Sequence, residues 1–165
     1  MKVVISGSFR KSLIEIIELK EQLEGKGIEV LNPKSKATID NNDTPEFVLF
    51  AGEKNEDANE LEKKYLESIA SSDAHIVYVT NGYLGETAFS EMLFACSLGI
   101  PIYLTEQIET LYCSGKPQSI GLLKAIEMLV TNGSVEIGVS NLLSDYNFGG
   151  KQLKLKKNDN GNYLS

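Results

Sequence analysis

Short runs of β-branched residues alternate along the chain with longer segments at helical spacing, and this alternation constrains the fold more than any other feature. Val3–Ser6 is the first such run, and Lys11–Glu24 follows it with apolar residues at helical intervals. Two glycines end that helix, and Ile28–Leu31 is a second short run, stopped by Asn32-Pro33. A strand, a helix and a strand in this order are typical of the start of a parallel sheet.

The same alternation continues further along the chain. It predicts helices and strands in turn: Ala58–Ser71 helix, Ala74–Thr80 strand, Glu86–Leu98 helix, Pro101–Leu104 strand and Pro117–Val130 helix. The length of 165 residues is typical of one domain. We therefore predict an α/β, Rossmann-like fold, with a mostly parallel sheet flanked by helices, in a single domain over residues 1–165. Ligands of such folds bind at the carboxyl ends of the strands, where the strand-to-helix turns meet.

Two segments do not follow this alternation. Residues 35–59 are polar and acidic apart from Phe47–Phe50, and they fit either a solvated insertion or a lid over a site. Residues 131–165 are expected to be an irregular C-terminal part, in which Val135–Val139 and Gln152–Leu155 alternate weakly, as strands do.

Charge and cysteine content limit the classes of partner and location. With 16 Lys and Arg against 23 Asp and Glu, the net charge is −7. Such a chain gains little from counterion release, so we expect neither duplex nucleic acid nor a membrane as a partner. Two cysteines and one histidine argue against a disulfide scaffold and a zinc site, and no cofactor is expected. The first residues enter a strand without the longer apolar segment of a signal peptide, so we expect the protein in the reducing cytoplasm.

The first strand-to-helix turn is Ser6-Gly7-Ser8-Phe9-Arg10. Small residues let the backbone approach a ligand, and the amides ahead of the helix point toward it. Arg10 is the only arginine of the chain, and its planar fork suits phosphate or carboxylate. A plain turn with a helix-capping serine and a surface arginine accounts for the same residues, so both interpretations stay open.

The second turn, Asn81–Thr87, follows the predicted strand Ala74–Thr80. Gly82 and Gly85 suit a tight loop beside a ligand. Tyr83 fits either stacking on a base or sugar or packing under the loop.

Two polar residues lie at the start of the same strand. Asp73 stands just before it, and it either ends the preceding helix or contributes to a site. For His75, a histidine with satisfied structural hydrogen bonds is favoured over a catalytic one.

Glu91 is the most informative residue, because it is the only charged side chain from Thr87 to Leu104. Its neighbours at helical spacing are uncharged on every side, so the helix is expected to be deeply buried. A carboxylate there must be desolvated, paired or facing a cavity. Such carboxylates concentrate at functional sites, and the structural alternative is a glutamate paired with a lysine or with backbone amides.

These residues together resemble a known family. The opening turn, Asp73, the loop Gly82-Tyr83-Leu84-Gly85, and the runs Glu91-Met92-Leu93-Phe94-Ala95 and Gly99-Ile100-Pro101-Ile102 resemble the nucleoside 2-deoxyribosyltransferase family, which includes the 2'-deoxynucleoside 5'-phosphate N-hydrolases. The resemblance covers roughly residues 3–104.

The resemblance implies a glutamate nucleophile at Glu91, which attacks the anomeric carbon of a deoxyribosyl N-glycoside and releases the base. It implies that Asp73 positions the reacting groups, that Ser8 and Arg10 hold a 5'-phosphate, and that the protein is a homodimer or larger homo-oligomer. The candidate substrate-binding residues are then Ser6, Gly7, Ser8, Arg10, Gly82, Tyr83 and Gly85.

Three functions follow from these observations. The leading hypothesis is an enzyme that cleaves or exchanges the base of 2'-deoxyribonucleosides or their 5'-monophosphates. The family's acidic residue near the glycine loop has no counterpart in Asn81–Gly85, which counts against base exchange. A phosphoribohydrolase is an alternative, although its Pro-Gly-Gly-x-Gly-Thr loop is missing. A nucleotide-binding or sensing module without turnover is the other alternative, because the fold does not fix the function.

Overall fold

The structure is a computed structural model that describes residues 1–34 and 58–113, together with the short strands at 38–39, 49–50, 116–117, 135–137, 156–157 and 163–164. The predicted insertion or lid at 35–59, apart from its two short strands and its last two residues, lies outside the described residues. So do the predicted strand Gln152–Leu155 and residues 118–130 of the predicted last helix.

Three helices and twelve strands are described. In chain order they are β1 (Lys2–Gly7), α1 (Phe9–Glu24), β2 (Glu29–Asn32), β3 (Thr38–Ile39), β4 (Leu49–Phe50), α2 (Ala58–Ala70), β5 (Ala74–Tyr78), β6 (Tyr83–Gly85), α3 (Glu86–Ser97), β7 (Ile102–Leu104), β8 (Thr110–Cys113), β9 (Lys116–Pro117), β10 (Val135–Ile137), β11 (Lys156–Lys157) and β12 (Tyr163–Leu164).

The central sheet has five strands in the spatial order β2-β1-β5-β7-β10, and every neighbouring pair is parallel. The predicted parallel α/β fold is confirmed. In this order, the chain moves from β1 to β2 on one side and later returns to β5 on the other side. Connections that leave in opposite directions open a crevice at the carboxyl ends of the strands, here between β1 and β5.

Helices cover both faces of the sheet because successive side chains of a strand point to opposite faces. Val3 and Ile5 of β1 pack in the cluster that contains Ile16 and Leu23 of α1. Val4, between them, belongs to the opposite cluster, which α2 and α3 complete through Ile69, Ala88, Met92 and Ala95. Ser6 follows the alternation of Val4, so its side chain lies on the α2 and α3 face.

The observed bounds of the helices and main strands differ from the predicted ones by one or two residues, as element ends usually do. Helix α1 begins at Phe9 rather than Lys11, and it is kinked at Ser12, which has φ −137° and ψ 37°. The Ser12 hydroxyl lies 2.7 Å from Thr80 Oγ1, in the loop after β5. This side-chain contact ties the start of α1 to that loop.

Two expectations are corrected around the second turn. Part of the predicted loop forms β6, which pairs with β8, a strand that the sequence analysis did not predict. Pro117 does not begin a helix but lies in β9, opposite Tyr112 of β8. Proline suits the first turn of a helix and also an edge strand, and here the pairing with β8 decides. No helix in the described part of the chain is long and apolar enough to cross a membrane.

Candidate functional site

The candidate site lies at the carboxyl edge of the sheet, between β1 and β5. The turns after these strands meet there, as expected from the sequence. Besides the contact of Ser12 with Thr80, the Lys11 ammonium nitrogen stands 3.5 Å from the ring centroid of Tyr83, a cation–π geometry. The start of α1 is therefore in contact with the segment that joins β5 to α3.

Glu91 reaches this edge from α3 with only 9% of its surface exposed. The pKa of its carboxyl group is raised from 4.5 to about 7, mainly by burial and in smaller part by the nearby carboxylate of Glu62 of α2. A hydrogen bond from the Ser6 hydroxyl acts in the opposite direction, because it stabilises the ionised form. Among the described residues, no lysine forms an ion pair with Glu91. The expectation of a buried, desolvated carboxylate is confirmed.

Ser6 is the last residue but one of β1, and it also contacts His75 of β5. The distance from Ser6 Oγ to His75 Nε2 is 2.6 Å, and both side chains are fully buried. Burial lowers the pKa of His75 to about 4, so its imidazole is neutral near pH 7. Nδ1 of the same ring has no hydrogen-bond partner among the described residues. The histidine is thus only half satisfied, whereas the sequence favoured a fully satisfied one.

The residues of the first turn, Ser6–Arg10, range from buried inside the protein to exposed. Ser6, one of the predicted substrate-binding residues, is fully buried, and its hydroxyl acts on Glu91. A Cβ at Gly7 would lie 2.9 Å from Tyr78 Cβ, so this glycine is required where β1 passes β5. Ser8 makes no side-chain capping hydrogen bond, which removes the capping interpretation of its hydroxyl. Arg10 is exposed in the first turn of α1.

The glycine loop is held from the other side by the segment after β7. Gly82 adopts φ +73°, and its amide donates to Glu106 Oε1 at 2.8 Å. Gly85 precedes α3, and a Cβ there would lie 3.3 Å from the Tyr83 hydroxyl. Tyr83 offers one ring face to Lys11, so this contact favours the packing interpretation of its side chain.

Glu106 is a site residue that was not predicted from the sequence. It lies two residues after the end of β7 and so at the same carboxyl edge as the other turns. The rule that placed the first two turns at this edge would have found it, because the strand at Pro101–Leu104 was predicted. An acid therefore does contact the glycine loop, although it comes from another segment.

The structure does not bring Asp73 to Glu91. Asp73 precedes β5, and its Oδ2 accepts a hydrogen bond from the Lys2 amide at 2.6 Å. The next residue, Ala74, pairs with Val3, three positions before Ser6. At about 3.3 Å per residue this is about 10 Å along the strand, toward the amino edge. The carboxylate of Asp73 holds the start of β1, and this placement gives no support to a role beside Glu91.

Among the described residues, no group of three or more His, Cys, Asp or Glu side chains is arranged to hold a metal ion. The chemistry available at this edge is that of a buried carboxylate, a hydroxyl, a neutral imidazole and two exposed cations, Arg10 and Lys11.

Two solved structures resemble this one. A CMP N-glycosidase from Clostridium botulinum, BcmB, matches with a TM-score of 0.52 and 18% sequence identity, covering 83% of this chain and 86% of that chain. A conserved protein from Enterococcus faecalis matches with a TM-score of 0.49 and 17% identity, covering 84% of this chain and 79% of that chain. No protein-family model and no curated protein matches the chain. At 18% identity, the likeness to the first structure shows a shared Rossmann-like α/β fold.

Proposed function

We propose that the protein cleaves the N-glycosidic bond of a nucleoside or a nucleoside 5'-phosphate, with Glu91 as the nucleophile. The observation that carries this proposal is the buried carboxylate of Glu91, held by the Ser6 hydroxyl at the carboxyl edge of the sheet. The family resemblance of the sequence points to deoxyribosyl N-glycosides, and the protein of like fold, BcmB, is a CMP N-glycosidase. Both lead to the same bond, between the anomeric carbon and a base nitrogen.

The proposed reaction has two steps. The ionised Glu91 attacks C1' of the sugar while the C1'–N bond breaks, and the base leaves with the electron pair and takes up a proton. A water molecule then attacks C1' of the glycosyl ester, gives up a proton and releases the carboxylate. The net result is substrate plus water to free base plus free sugar or sugar phosphate. A carboxylate in a dry setting suits an oxocarbenium-like centre, since its charge is poorly screened there.

Only the ionised carboxylate is a nucleophile, so the raised pKa of Glu91 has a kinetic consequence. With a pKa of about 7, roughly half of the free enzyme is competent at neutral pH. We therefore expect kcat/KM for base release to rise with pH through an apparent pKa near this value. Without the hydrogen bond from Ser6, this apparent pKa would be higher still.

We place the 5'-phosphate, where the substrate carries one, at the start of α1. Arg10 is exposed in the first turn of this helix, and Ser8 precedes it with a hydroxyl that makes no capping bond. The helix dipole attracts anions to the first turn of a helix, and arginine binds phosphate with two parallel hydrogen bonds.

Hydrolysis is favoured over base exchange. The glycine loop carries no acidic residue of its own, and Glu106 already accepts from the Gly82 amide through one oxygen. The homodimer or larger assembly and the cytoplasmic location stay predictions made from the sequence.

A chromatographic screen for free base tests the proposal. The protein is incubated with each deoxyribonucleoside, each deoxyribonucleoside monophosphate and the ribose counterparts, with and without an acceptor base. Base release that Glu91→Gln abolishes is expected, while Glu67→Gln, which alters an exposed glutamate on α2, leaves it intact. Release from monophosphates alone would support the phosphate site. Binding without any release would contradict the proposal and favour the nucleotide-binding module.

A further inference from the structure

Three polar side chains from three elements form a continuous buried chain behind the proposed nucleophile. Ser6 pairs in register with Val77, two residues beyond His75, so Ser6 and His75 lie on one face of the sheet as diagonal neighbours. Glu91 of α3 packs against the same face and accepts from the Ser6 hydroxyl. Ser6 and His75 are 0% exposed, so the chain is closed to solvent except at Glu91.

The direction of these hydrogen bonds follows from a count of protons. A serine hydroxyl has one proton to donate. The bond between Ser6 and Glu91 favours the ionised carboxylate, which can only accept, so the Ser6 proton points at Glu91. Ser6 Oγ can then only accept from His75, at 2.6 Å from Nε2. The imidazole must therefore carry its proton on Nε2, and Nδ1 is left as the bare nitrogen without a partner among the described residues.

We infer that His75 is a positioning residue for Glu91 and acts through Ser6: its Nε2–H donates to Ser6 Oγ and directs the single Ser6 proton at the carboxylate. The inference rests on the proposed function for its kinetic meaning, while the hydrogen-bond chain can be tested without any activity.

The chain links the tautomer of His75 to the ionisation of Glu91. When Glu91 takes up a proton, its O–H donates to Ser6 Oγ, and the Ser6 proton turns toward His75 Nε2. The imidazole then holds its one proton on Nδ1, so the ring stays neutral in both states. The groups that act on Glu91 from the elements packed against it are Ser6 of β1, His75 of β5 and the carboxylate of Glu62 of α2.

The tautomer is directly observable, because His75 is the only histidine of the chain. In the full-length protein labelled with 15N-histidine, the two ring nitrogens give signals that need no further assignment. We expect a proton on Nε2 at pH 8.5 and on Nδ1 at pH 5.5, with a midpoint near 7, the pKa of Glu91. The change should vanish in Glu91→Gln and in Ser6→Ala.

Two results would overturn the inference. One is a single tautomer throughout this pH range in the wild-type protein, and the other is a tautomer change that persists in Ser6→Ala. Both are readable in a protein that releases no base, so the failure of this inference differs from the failure of the proposed function.

The kinetic arm compares two variants of the histidine. His75→Leu removes the donor, whereas His75→Gln offers an amide N–H near the place of Nε2–H. For His75→Leu we expect the apparent pKa at which kcat/KM rises to increase by about one pH unit. Base release should then be about tenfold slower at pH 6 and should recover at high pH. His75→Gln should regain part of this shift, and His75→Leu should add nothing in a Ser6→Ala background.

A loss that is equal at all pH values would make His75 a structural residue only. If His75→Leu does not fold, the comparison of Ser6→Ala with the wild type in the NMR titration still decides. If the His75 tautomer of Ser6→Ala changes with pH as in the wild type, a hydrogen-bond chain through Ser6 is excluded.

Discussion

Replacing Glu91 with glutamine should change how the stability of the protein depends on pH. In the folded state the pKa of Glu91 is about 7, against an ordinary value of 4.5. Between these pH values the folded protein holds a proton that the unfolded chain has released. The free energy of unfolding therefore falls as pH rises through this window, because the folded state binds more protons there.

The size of the effect follows from the raised pKa. A difference between 4.5 and about 7 corresponds to about 3 kcal/mol, at about 1.4 kcal/mol for each pH unit. Little of this is lost to solvent screening, since Glu91 is only 9% exposed. Glutamine does not titrate, so the stability of Glu91→Gln relative to the wild type should increase by about 3 kcal/mol from pH 4.5 to pH 7 and then level off.

A measurement on the wild-type protein by itself would not reveal this effect, because His75 has the opposite one. Its pKa falls from 6.5 to about 4 on folding, so between these values the unfolded chain binds a proton that the folded protein excludes. That contribution makes the free energy of unfolding rise with pH over nearly the same window, by about 3 kcal/mol. The two slopes oppose each other, so the wild-type curve is flattened and only the difference between variant and wild type isolates Glu91.

The assay is urea unfolding followed by circular dichroism at five pH values from 4.5 to 8. Glu67→Gln serves as the matched control, because it removes an exposed carboxylate from α2 without touching the buried chain. The free energy of unfolding of Glu67→Gln should differ little from that of the wild type at every pH. If the difference for Glu91→Gln is also constant with pH within the error of extrapolation, the carboxylate is not desolvated and the reasoning about the site fails.

Three further substitutions test other parts of the site. Arg10→Ala should raise KM for nucleoside monophosphates at least tenfold and leave KM for nucleosides unchanged, as steady-state kinetics on both substrate types would show. Asp73→Asn should weaken the hydrogen bond that holds β1 and lower the free energy of unfolding by about 1 kcal/mol, while base release is retained. Loss of activity at full stability would instead support the catalytic role that the sequence resemblance implies. Gly7→Ala should destabilise by about 1–3 kcal/mol through overpacking against Tyr78, seen as a lower midpoint in thermal unfolding.

Glu91 and the main sheet were predictable because their signals are local. Each long strand is a short apolar run, and the burial of α3 is visible in its sequence because apolar side chains surround one carboxylate. Strand β6 is only three residues long and stands among turn residues, and its identity depends on pairing with β8, 27 positions further on. Segments of this length carry too little periodicity to be recognised alone.

The partners of Glu91 could not be predicted in the same way. Ser6 and His75 are 69 positions apart, and their contact depends on the register between β1 and β5. A shift of one residue would turn either side chain to the face covered by α1. Asp73 shows the converse, since a parallel sheet separates residues that precede a strand from those that follow it. The sequence placed Asp73 directly before β5, which puts it at the amino edge, away from the turns.

The position of the crevice explains how so few side chains can divide the work of the proposed reaction. Helix α1 leaves β1 on one face of the sheet, and α3 packs on the other, so the crevice between β1 and β5 receives groups from both faces. Glu91 comes from α3, whereas Arg10 and Lys11 come from the first turn of α1. A nucleotide in this crevice would meet an anion on one side and cations on the other. In the proposed transition state its phosphate and its anomeric carbon carry opposite charge, so this polarity would orient the sugar toward Glu91.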